Sequence, residues 1–491
     1  MNYSLISYIL GWVLKIEGCC LAIPLICSII YDEKYKYPYI ISIAICLIVG
    51  IILTIKKPEN KNMYAKEGFV TVALSWIVLS IFGALPFYIM NKAVVLGGGV
   101  AFTEGFGYID ALFETASGFT TTGSSILTQV ERLPKSLLLW RSFTHWIGGM
   151  GILVFLVAIV PLSGGSNIHL IRAESPGPEV NKLVPKVKST AMILYAIYIG
   201  LTFMQIVLMM LCGVSFYDSI TTSFSTAGTG GFATTSDAML AFSPGVQYII
   251  TIFMLLFGVD FSIYYLILIR RNLKGIRSDE VLCYFGIIAV ATCLIFADIS
   301  KLGLYSAEET FRHSFSQVAA IITTTGFSIQ DYTSWPALSQ TIIVFLTFVG
   351  ACAGSTGGGF KISRVILLFK NAVREVKTMA HPRTVHKITM NGRSVSNEII
   401  RSVNVYLIAY IGVFAGALLL ISLDGKDFVT NFTAVATTIN NVGPGLSQIG
   451  PMENFAHFSS FSKIVLSFVM ITGRLEIFPM LVLLSRYTSK K

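Results

Sequence analysis

The chain has 491 residues, of which 54% are hydrophobic and only 13% charged; its mean hydropathy is +0.72 and its formal net charge +10. These values exclude an ordinary soluble globular protein. Stretches free of Asp, Glu, Lys and Arg run over 69–91, 142–171, 189–217, 238–259, 332–360, 402–423 and 428–452, and several exceed the ~20 residues with which a helix crosses a bilayer, so the chain reads as a polytopic membrane protein.

In chain order, two spans are predicted first, near 5–30 and 38–56. The opening apolar run lacks a basic leader region and a clear small-residue cleavage site, and so reads as a retained membrane segment rather than a signal peptide. From there a plan recurs: one long span, a short amphipathic piece breaking into small polar residues and glycine, and another long span. The long spans are predicted at 68–90 and 139–161, 188–212 and 247–270, 280–299 and 340–376 (interrupted), and 398–422 and 461–485. Between them stand YIDALFETASGFTTTG (108–123), FYDSITTSFSTAGTGGF (216–232), FRHSFSQVAAIITTTGF (311–327) and FVTNFTAVATTINNVGPG (428–445). A fixed internal period indicates repeated structural units. The expected fold is therefore all-α and polytopic, with four span–pore-helix–span repeats in pseudo-fourfold order around a central pore. The expected division is 1–60 (two N-terminal transmembrane helices), 61–170 (first repeat), 171–275 (second), 276–380 (third, with a broken second helix) and 381–491 (fourth).

The basic residues mark the connectors. Lys56, Lys57, Lys61 and Lys66 fall in one; Arg172, Lys182, Lys186 and Lys188 in a second; Arg270, Arg271, Lys274 and Arg277 in a third. Lys361, Arg364, Lys370, Arg374, Lys377, Arg383, Lys387 and Arg393 occupy a fourth, and Arg486, Lys490 and Lys491 the tail. Basic residues collect on cytoplasmic loops, so the charge reports orientation: connectors and C-terminus inside, with no nucleic-acid partner. The eight cysteines are scattered without a CxxC pair, which suggests neither a metal site nor a disulfide framework.

Irregular backbone at membrane depth survives only when buried in protein or lining a water-filled cavity. Four equivalent loops suggest a ring in which backbone carbonyls, turned inward at glycines, replace the hydration shell of a cation. Threonines add hydroxyls, and the short helices point their partially negative C-termini at the axis. Candidate cation-binding filter residues are Thr121, Thr122 and Gly123; Thr229, Gly230 and Gly231; Thr324, Thr325 and Gly326; and Asn441, Val442 and Gly443. Asp110, Asp218, Glu308, Glu309 and Asp427, at the starts of the short helices, either concentrate cations or cap helix N-termini.

The chain resembles the TrkH family of bacterial potassium uptake systems, within the TrkH/KtrB/HKT superfamily. The resemblance rests on WRSFTHWIGGMGILVFLVAIVP (140–161), RAESPGP (172–178), GACAGSTGGGFKISR (350–364), HPRTVHKITMNGRSVS (381–396), NNVGPG (440–445) and GRLEIFP (473–479), and covers essentially the whole chain. It implies filter glycines at Gly123, Gly230, Gly326 and Gly443, with Gly231 an alternative register in the second loop. In this superfamily four such glycines accompany K+ preference and a serine in the first filter accompanies Na+ transport. The resemblance further implies K+ as the transported ion with no cofactor in the chain, and a homodimer with a pore in each protomer. It also implies a cytosolic nucleotide-binding TrkA-type ring as partner, and a place in the bacterial cytoplasmic membrane with the filter facing outward.

Two features suggest a gate. AGSTGGG (353–359) has no large side chain, and each glycine inside a helix costs about 1 kcal/mol, so a loop below the filter is expected there rather than helix. It is not a Walker loop, because GACAGST lacks the lysine. The resemblance assigns an intramembrane gating loop to Gly354, Ser355, Thr356, Gly357, Gly358 and Gly359. Arg474 lies mid-span, where an ionisable group faces a cavity or a partner; Glu476, two residues on, lies on another helix face. The expectation is a cationic barrier below the filter, against a buried structural ion pair. His145 is expected to be a packed hydrogen-bonding residue, and Asp260 to pair across units with a partner the sequence does not name.

The other function classes fare worse. An intramembrane hydrolase around TASG (115–118) would need a histidine base, and only His145 and His169 are candidates, neither with a supporting acid. A rocking carrier built from inverted repeats is disfavoured, because these repeats begin and end on one side. K+ symport with H+ or Na+, or Na+ permeation through the same fold, remain alternatives to channel-like K+ uptake.

Overall fold

The structure is a computed structural model, and it describes residues 1–60, 63–151, 187–272, 275, 277–384 and 386–485. Several features read from the sequence lie outside those residues. They are the end of the predicted span 139–161, the RAESPGP motif (172–178), His169, and the basic residues Lys61, Arg172, Lys182, Lys186, Lys274, Arg486, Lys490 and Lys491.

Six helices among the described residues are long and apolar enough to cross a membrane: Tyr3–Ile30, Tyr37–Thr54, Ala65–Leu96, Ala191–Leu211, Asp279–Leu302 and Asn397–Asp424. The first two precede the repeats, and each of the other four opens one unit. Their starts carry local stop–start signals: Pro38 sits in the first turn of Tyr37–Thr54, Ser278 caps Asp279–Ile299 and Ser396 caps Asn397–Ile421, side chains that satisfy or dispense with orphan N–H groups. Their outer faces stay apolar and exposed at Phe203, Leu211, Val290, Ile408 and Leu419, as a lipid-facing surface requires.

Four short helices follow these spans, at Tyr108–Phe119, Phe216–Ala227, Ala307–Ile322 and Phe428–Ile439. They are the predicted pore helices, and their inner halves are buried except at the half-buried Phe224 and Phe315.

The second span departs from the expectation in the second and fourth units. The sequence predicts one interruption, in the third unit, and it is there: Ala337–Val349 ends at Gly350 (φ 74°), and helix resumes at Ile362–Ala380. The predicted continuous span 247–270 is instead two helices, Pro244–Phe257 and Phe261–Leu268, bent by 93°. Asp260 causes the restart: its carboxylate accepts the Ser262 N–H at 2.8 Å, and Asp favours that N-cap role over a helix interior. The predicted span 461–485 also breaks, with Ser460–Arg474 and Phe478–Leu484 separated by Glu476 (φ 55°) and Ile477 (φ 66°). In the first unit, helix Lys135–Met150 ends where Gly151 takes φ 77°. The second spans of the second, third and fourth units are therefore all broken, and in the first unit the residues after Gly151 lie outside the described ones.

The only β-sheet among the described residues is a two-stranded hairpin, Thr389–Met390 against Arg393–Ser394. Its turn is Asn391–Gly392, both at positive φ (52° and 75°), and Asn-Gly is the dipeptide such tight turns favour. The apolar core lies in two halves. One joins the N-terminal helices to the first and fourth units around Trp76, Phe113, Trp140 and Met470; the other joins the second and third around Met254, Tyr284, Ile321 and Tyr332.

Candidate ion pathway

The four short helices end in the same hydrogen-bonded turn. The N–H groups of Thr122, Gly230, Thr325 and Val442 reach back to the carbonyls of Ser117, Ser225, Ala320 and Thr437 at 2.8–2.9 Å. One residue earlier, Thr121, Thr229, Thr324 and Asn441 donate to Gly118, Thr226, Ile321 and Thr438. This is the Schellman pattern, which places its C′ residue in the left-handed region. Those residues, at φ 54–59°, are Thr121, Thr229, Thr324 and Asn441, none of them glycine. A left-handed non-glycine residue costs roughly 1–2 kcal/mol, so four at matched positions mark strain that the surrounding packing sustains.

This pattern fixes the register of the second loop. The next glycines, Gly123, Gly231, Gly326 and Gly443, all have positive φ (79°, 77°, 75° and 99°). Gly231, rather than Gly230, thus stands in register with the other three.

The four loops close a ring. A Cβ on Gly123 would meet the carbonyl oxygen of Gly230, one on Gly231 that of Thr325, one on Gly326 that of Val442, and one on Gly443 that of Thr122. Each glycine faces the carbonyl just before the next loop's glycine, and the fourth returns to the first. The fourth and first loops are also joined by Asn441 Nδ2 donating to Thr122 Oγ1 at 3.0 Å and Ser124 Oγ to the Gly443 carbonyl at 3.3 Å. The TTTG runs divide their tasks. In both, the first threonine (Thr120, Thr323) bonds the carbonyl four residues back and shares a 2.8 Å hydroxyl contact with the third (Thr122, Thr325). In the fourth loop Asn440 takes the helix-closing part, bonding the Ala436 carbonyl and Tyr410.

Gly230 has another use. A Cβ there would run into the His145 ring. That ring stacks on Phe232 at 4.1 Å, its Nδ1–H donates to the Gly118 carbonyl at 2.7 Å, and its Nε2 accepts the Phe232 N–H at 3.3 Å. His145 thereby ties the first short helix to the second loop with both nitrogens engaged by backbone, as expected of a packed histidine and unlike a catalytic base. Gly230→Ala is expected to overpack this contact and cost about 1–3 kcal/mol. Its melting temperature in detergent should fall and partly recover when His145→Ala is added; a wild-type melt for Gly230→Ala would refute the contact.

A buried ion pair braces the ring from behind, and neither of its residues stood out as a site residue in the sequence. Glu114, on the first short helix, pairs with Arg141 Nε at 2.6 Å and accepts the Ile126 N–H at 3.0 Å; Arg141 donates on to the Ala233 carbonyl at 2.9 Å. A carboxylate and a guanidinium in otherwise apolar stretches were the available signal. The other acids settle as helix-start partners. Asp110 accepts the Gly107 N–H and pairs with Lys463, Glu309 accepts the Ser306 N–H, and Asp427 accepts the Thr430 N–H. Asp218 takes the hydroxyl of its helix's N-cap, Ser215, and Glu308 pairs with Arg312.

The intramembrane loop 350–361 lies directly under the ring. The Gly358 N–H donates to Thr324 Oγ1 at 2.6 Å, and Cβ atoms on Gly357 and Gly358 would meet the carbonyl oxygens of Thr323 and Asn440 at 2.9 and 2.6 Å. Its glycines thus allow backbone to approach backbone. The loop is latched to the break in the second unit: Cys352 N–H to the Gly258 carbonyl at 3.1 Å, Thr356 Oγ1 to the Phe257 carbonyl at 3.2 Å, and Phe261 N–H to the Gly354 carbonyl at 3.1 Å. The Asp260 carboxylate therefore finds its place across units, against Gly354, where a Cβ would come within 2.6 Å of Oδ1.

Arg474 bridges this loop to the first unit. Its guanidinium donates to the Thr356 carbonyl at 2.8 Å and to the carbonyls of Gly148 and Gly149 at 2.5 and 2.8 Å. Glu476 pairs with Arg364 instead, so the two neighbouring charges do not neutralise each other, as their different faces imply. The sequence-predicted residues of all four loops, the intramembrane loop and Arg474 thus converge on one axis.

A family model described as "TrkH: Cation transport protein" matches residues 38–490. The Trk system potassium uptake protein TrkH of Salmonella typhimurium is 34% identical over 489 residues, 98% of each chain. The Trk system potassium uptake protein TrkG of Escherichia coli is 31% identical, covering 99% of each chain. The crystal structure of the potassium transporter TrkH from Vibrio parahaemolyticus superposes over 100% of both chains with a TM-score of 0.88 at 30% identity. The chain belongs to the TrkH family of cation transport proteins.

Proposed function

We propose that this protein takes up K+ across the bacterial cytoplasmic membrane by channel-like permeation through a glycine-based filter. The observation that carries the reading is the closed ring of four equivalent loops, each presenting a carbonyl where the neighbouring glycine lacks a side chain. The filter is formed by Thr121–Gly123, Thr229–Gly231, Thr324–Gly326 and Asn441–Gly443, and K+ exchanges its water shell for their oxygens. Beneath it, Gly354–Gly359 and Arg474 form the gate: backbone fills the path and a guanidinium repels the passing cation.

The basic connectors face the cytoplasm and the filter faces outward. The inward membrane potential, about 2.3 kcal/mol per charge per 100 mV, is sufficient to drive uptake. The protein works as a homodimer in the lipid bilayer, with a TrkA-type nucleotide-binding ring docked on the connector 361–397. The relatives named above as potassium uptake proteins support K+ as the ion.

The test is reconstitution into liposomes, reading radioactive rubidium flux against K+ and Na+ competition. K+ competing far better than Na+ is expected. Equal competition would overturn K+ selectivity, a requirement for an imposed H+ or Na+ gradient would favour symport, and no flux with or without the partner ring would overturn transport.

A further inference from the structure

We propose that Glu280 is the positioning residue that holds the intramembrane loop in place, and that Asp279 beside it links the same helix turn to the hairpin 389–394. This rests on the gating role proposed above for the loop. Glu280 lies in the first turn of Asp279–Ile299. Its Oε1 accepts the Ala353 N–H at 2.7 Å and the Ser363 N–H at 3.2 Å, so one carboxylate oxygen joins the two ends of the loop. Between those ends lie Gly357 and Gly358, the residues packed against the filter turns. Lys361 closes the loop from within by donating to the Gly357 carbonyl.

Asp279 faces the other way. Its Oδ2 accepts from Lys370 Nζ at 2.8 Å and from the Asn391 N–H at 3.3 Å, and its own N–H donates to Asn391 Oδ1 at 2.7 Å. The hairpin is anchored beneath by Ile388, packed with Leu367, Ile400 and Val403.

Acidic residues in a first helical turn ordinarily serve the helix itself. Here Ser278 supplies the cap, accepting the Val281 N–H, and both carboxylates bond to distant segments instead. A displacement of the hairpin must break the Asp279 bonds or turn the helix end, and turning it moves the acceptor that Ala353 and Ser363 share. On the orientation proposed above the hairpin is cytoplasmic, within the connector where the ring docks. Asp279–Glu280 is then a contiguous route from docking surface to loop.

The test uses the full-length protein in vesicles, reading rubidium flux without the partner ring, and hydrogen exchange of the amides in 350–363 and 389–394. Glu280→Ala removes the acceptor shared by two N–H groups, and flux is expected to rise about tenfold with faster exchange in 350–363. Glu280→Gln, which keeps an acceptor oxygen, should stay within about twofold of wild type. If the alanine variant does not survive purification, Glu280→Asp, one methylene shorter, carries the test with a rise of about threefold. Asp279→Ala should speed exchange in 389–394 and raise flux about threefold.

Arg474→Ala, run alongside, separates the two readings. If it raises flux while purified Glu280→Ala keeps wild-type exchange in 350–363 and wild-type flux, the positioning role is overturned and the gate stands. If neither changes flux, the gate itself fails. A loosened hairpin with wild-type flux in Asp279→Ala overturns the link.

Discussion

Replacing Arg474 with alanine is expected to raise rubidium flux about thirtyfold. A unit charge about 8 Å from a permeating cation, at an effective dielectric of about 20, repels it by roughly 2 kcal/mol, and removing that term accelerates crossing by about that factor. The guanidinium also fastens the intramembrane loop, through the Thr356 carbonyl, to Gly148 and Gly149 of the first unit. Its loss therefore removes a charge and frees the loop together. Arg474→Lys separates the two: the charge remains, but a single ammonium does not reproduce a planar fork reaching three carbonyls, so a smaller rise is expected. A monodisperse Arg474→Ala protein with wild-type flux would refute the barrier.

Gly123→Ser is expected to cut rubidium uptake at least tenfold and to bring Na+ competition closer to that of K+. Two costs combine. At φ 79° an L-residue is disfavoured by roughly 1–2 kcal/mol. Its Cβ would also be driven at the Gly230 carbonyl oxygen, one of the four that close the ring, so the loops must spread. A wider ring fits its oxygens less well to a dehydrated K+, and the serine hydroxyl brings water with it. The readout is the ratio of K+ to Na+ concentrations that halve rubidium flux; an unchanged ratio at unchanged flux would remove Gly123 from the filter. Gly230→Ala makes the contrast, since its Cβ meets the His145 ring rather than a ring carbonyl and its main cost is to stability.

The plan of long span, short helix, loop and span was legible because each part is written in local sequence. Phe428–Ile439 announces itself by apolar spacing and by Asp427 capping it, and AGSTGGG cannot be helix whatever surrounds it. The second-loop register was not legible: in Thr229–Gly230–Gly231 either glycine satisfies the local pattern. The choice is made by His145, 85 positions earlier, whose ring needs the space over Gly230, and by Thr325, whose carbonyl lies where a side chain on Gly231 would go. The break at Gly258–Asp260 was equally hidden. An aspartate within an apolar run reads as a charge seeking a partner, and only the fold makes it the cap of a restarted helix. The hairpin at 389–394 was missed although Asn391–Gly392 signalled it, because strands of two residues leave no alternating pattern.

Sequence by itself determined that this protein crosses the membrane, that it does so in four related units after two leading helices, and that each unit carries a polar loop at membrane depth. Hydropathy and turn chemistry are properties of neighbours along the chain, so these features need no distant residue. Tertiary structure alone decided that the four loops form one closed ring, that the second spans of the second and fourth units break as the third does, and that Arg474 is held by carbonyls from two other units. The ring and the Arg474 bonds are meetings of residues from about 90 to more than 300 positions apart. Long-range contacts form where packed surfaces and orphan hydrogen-bonding groups coincide in space, and no local pattern records which distant backbone will arrive.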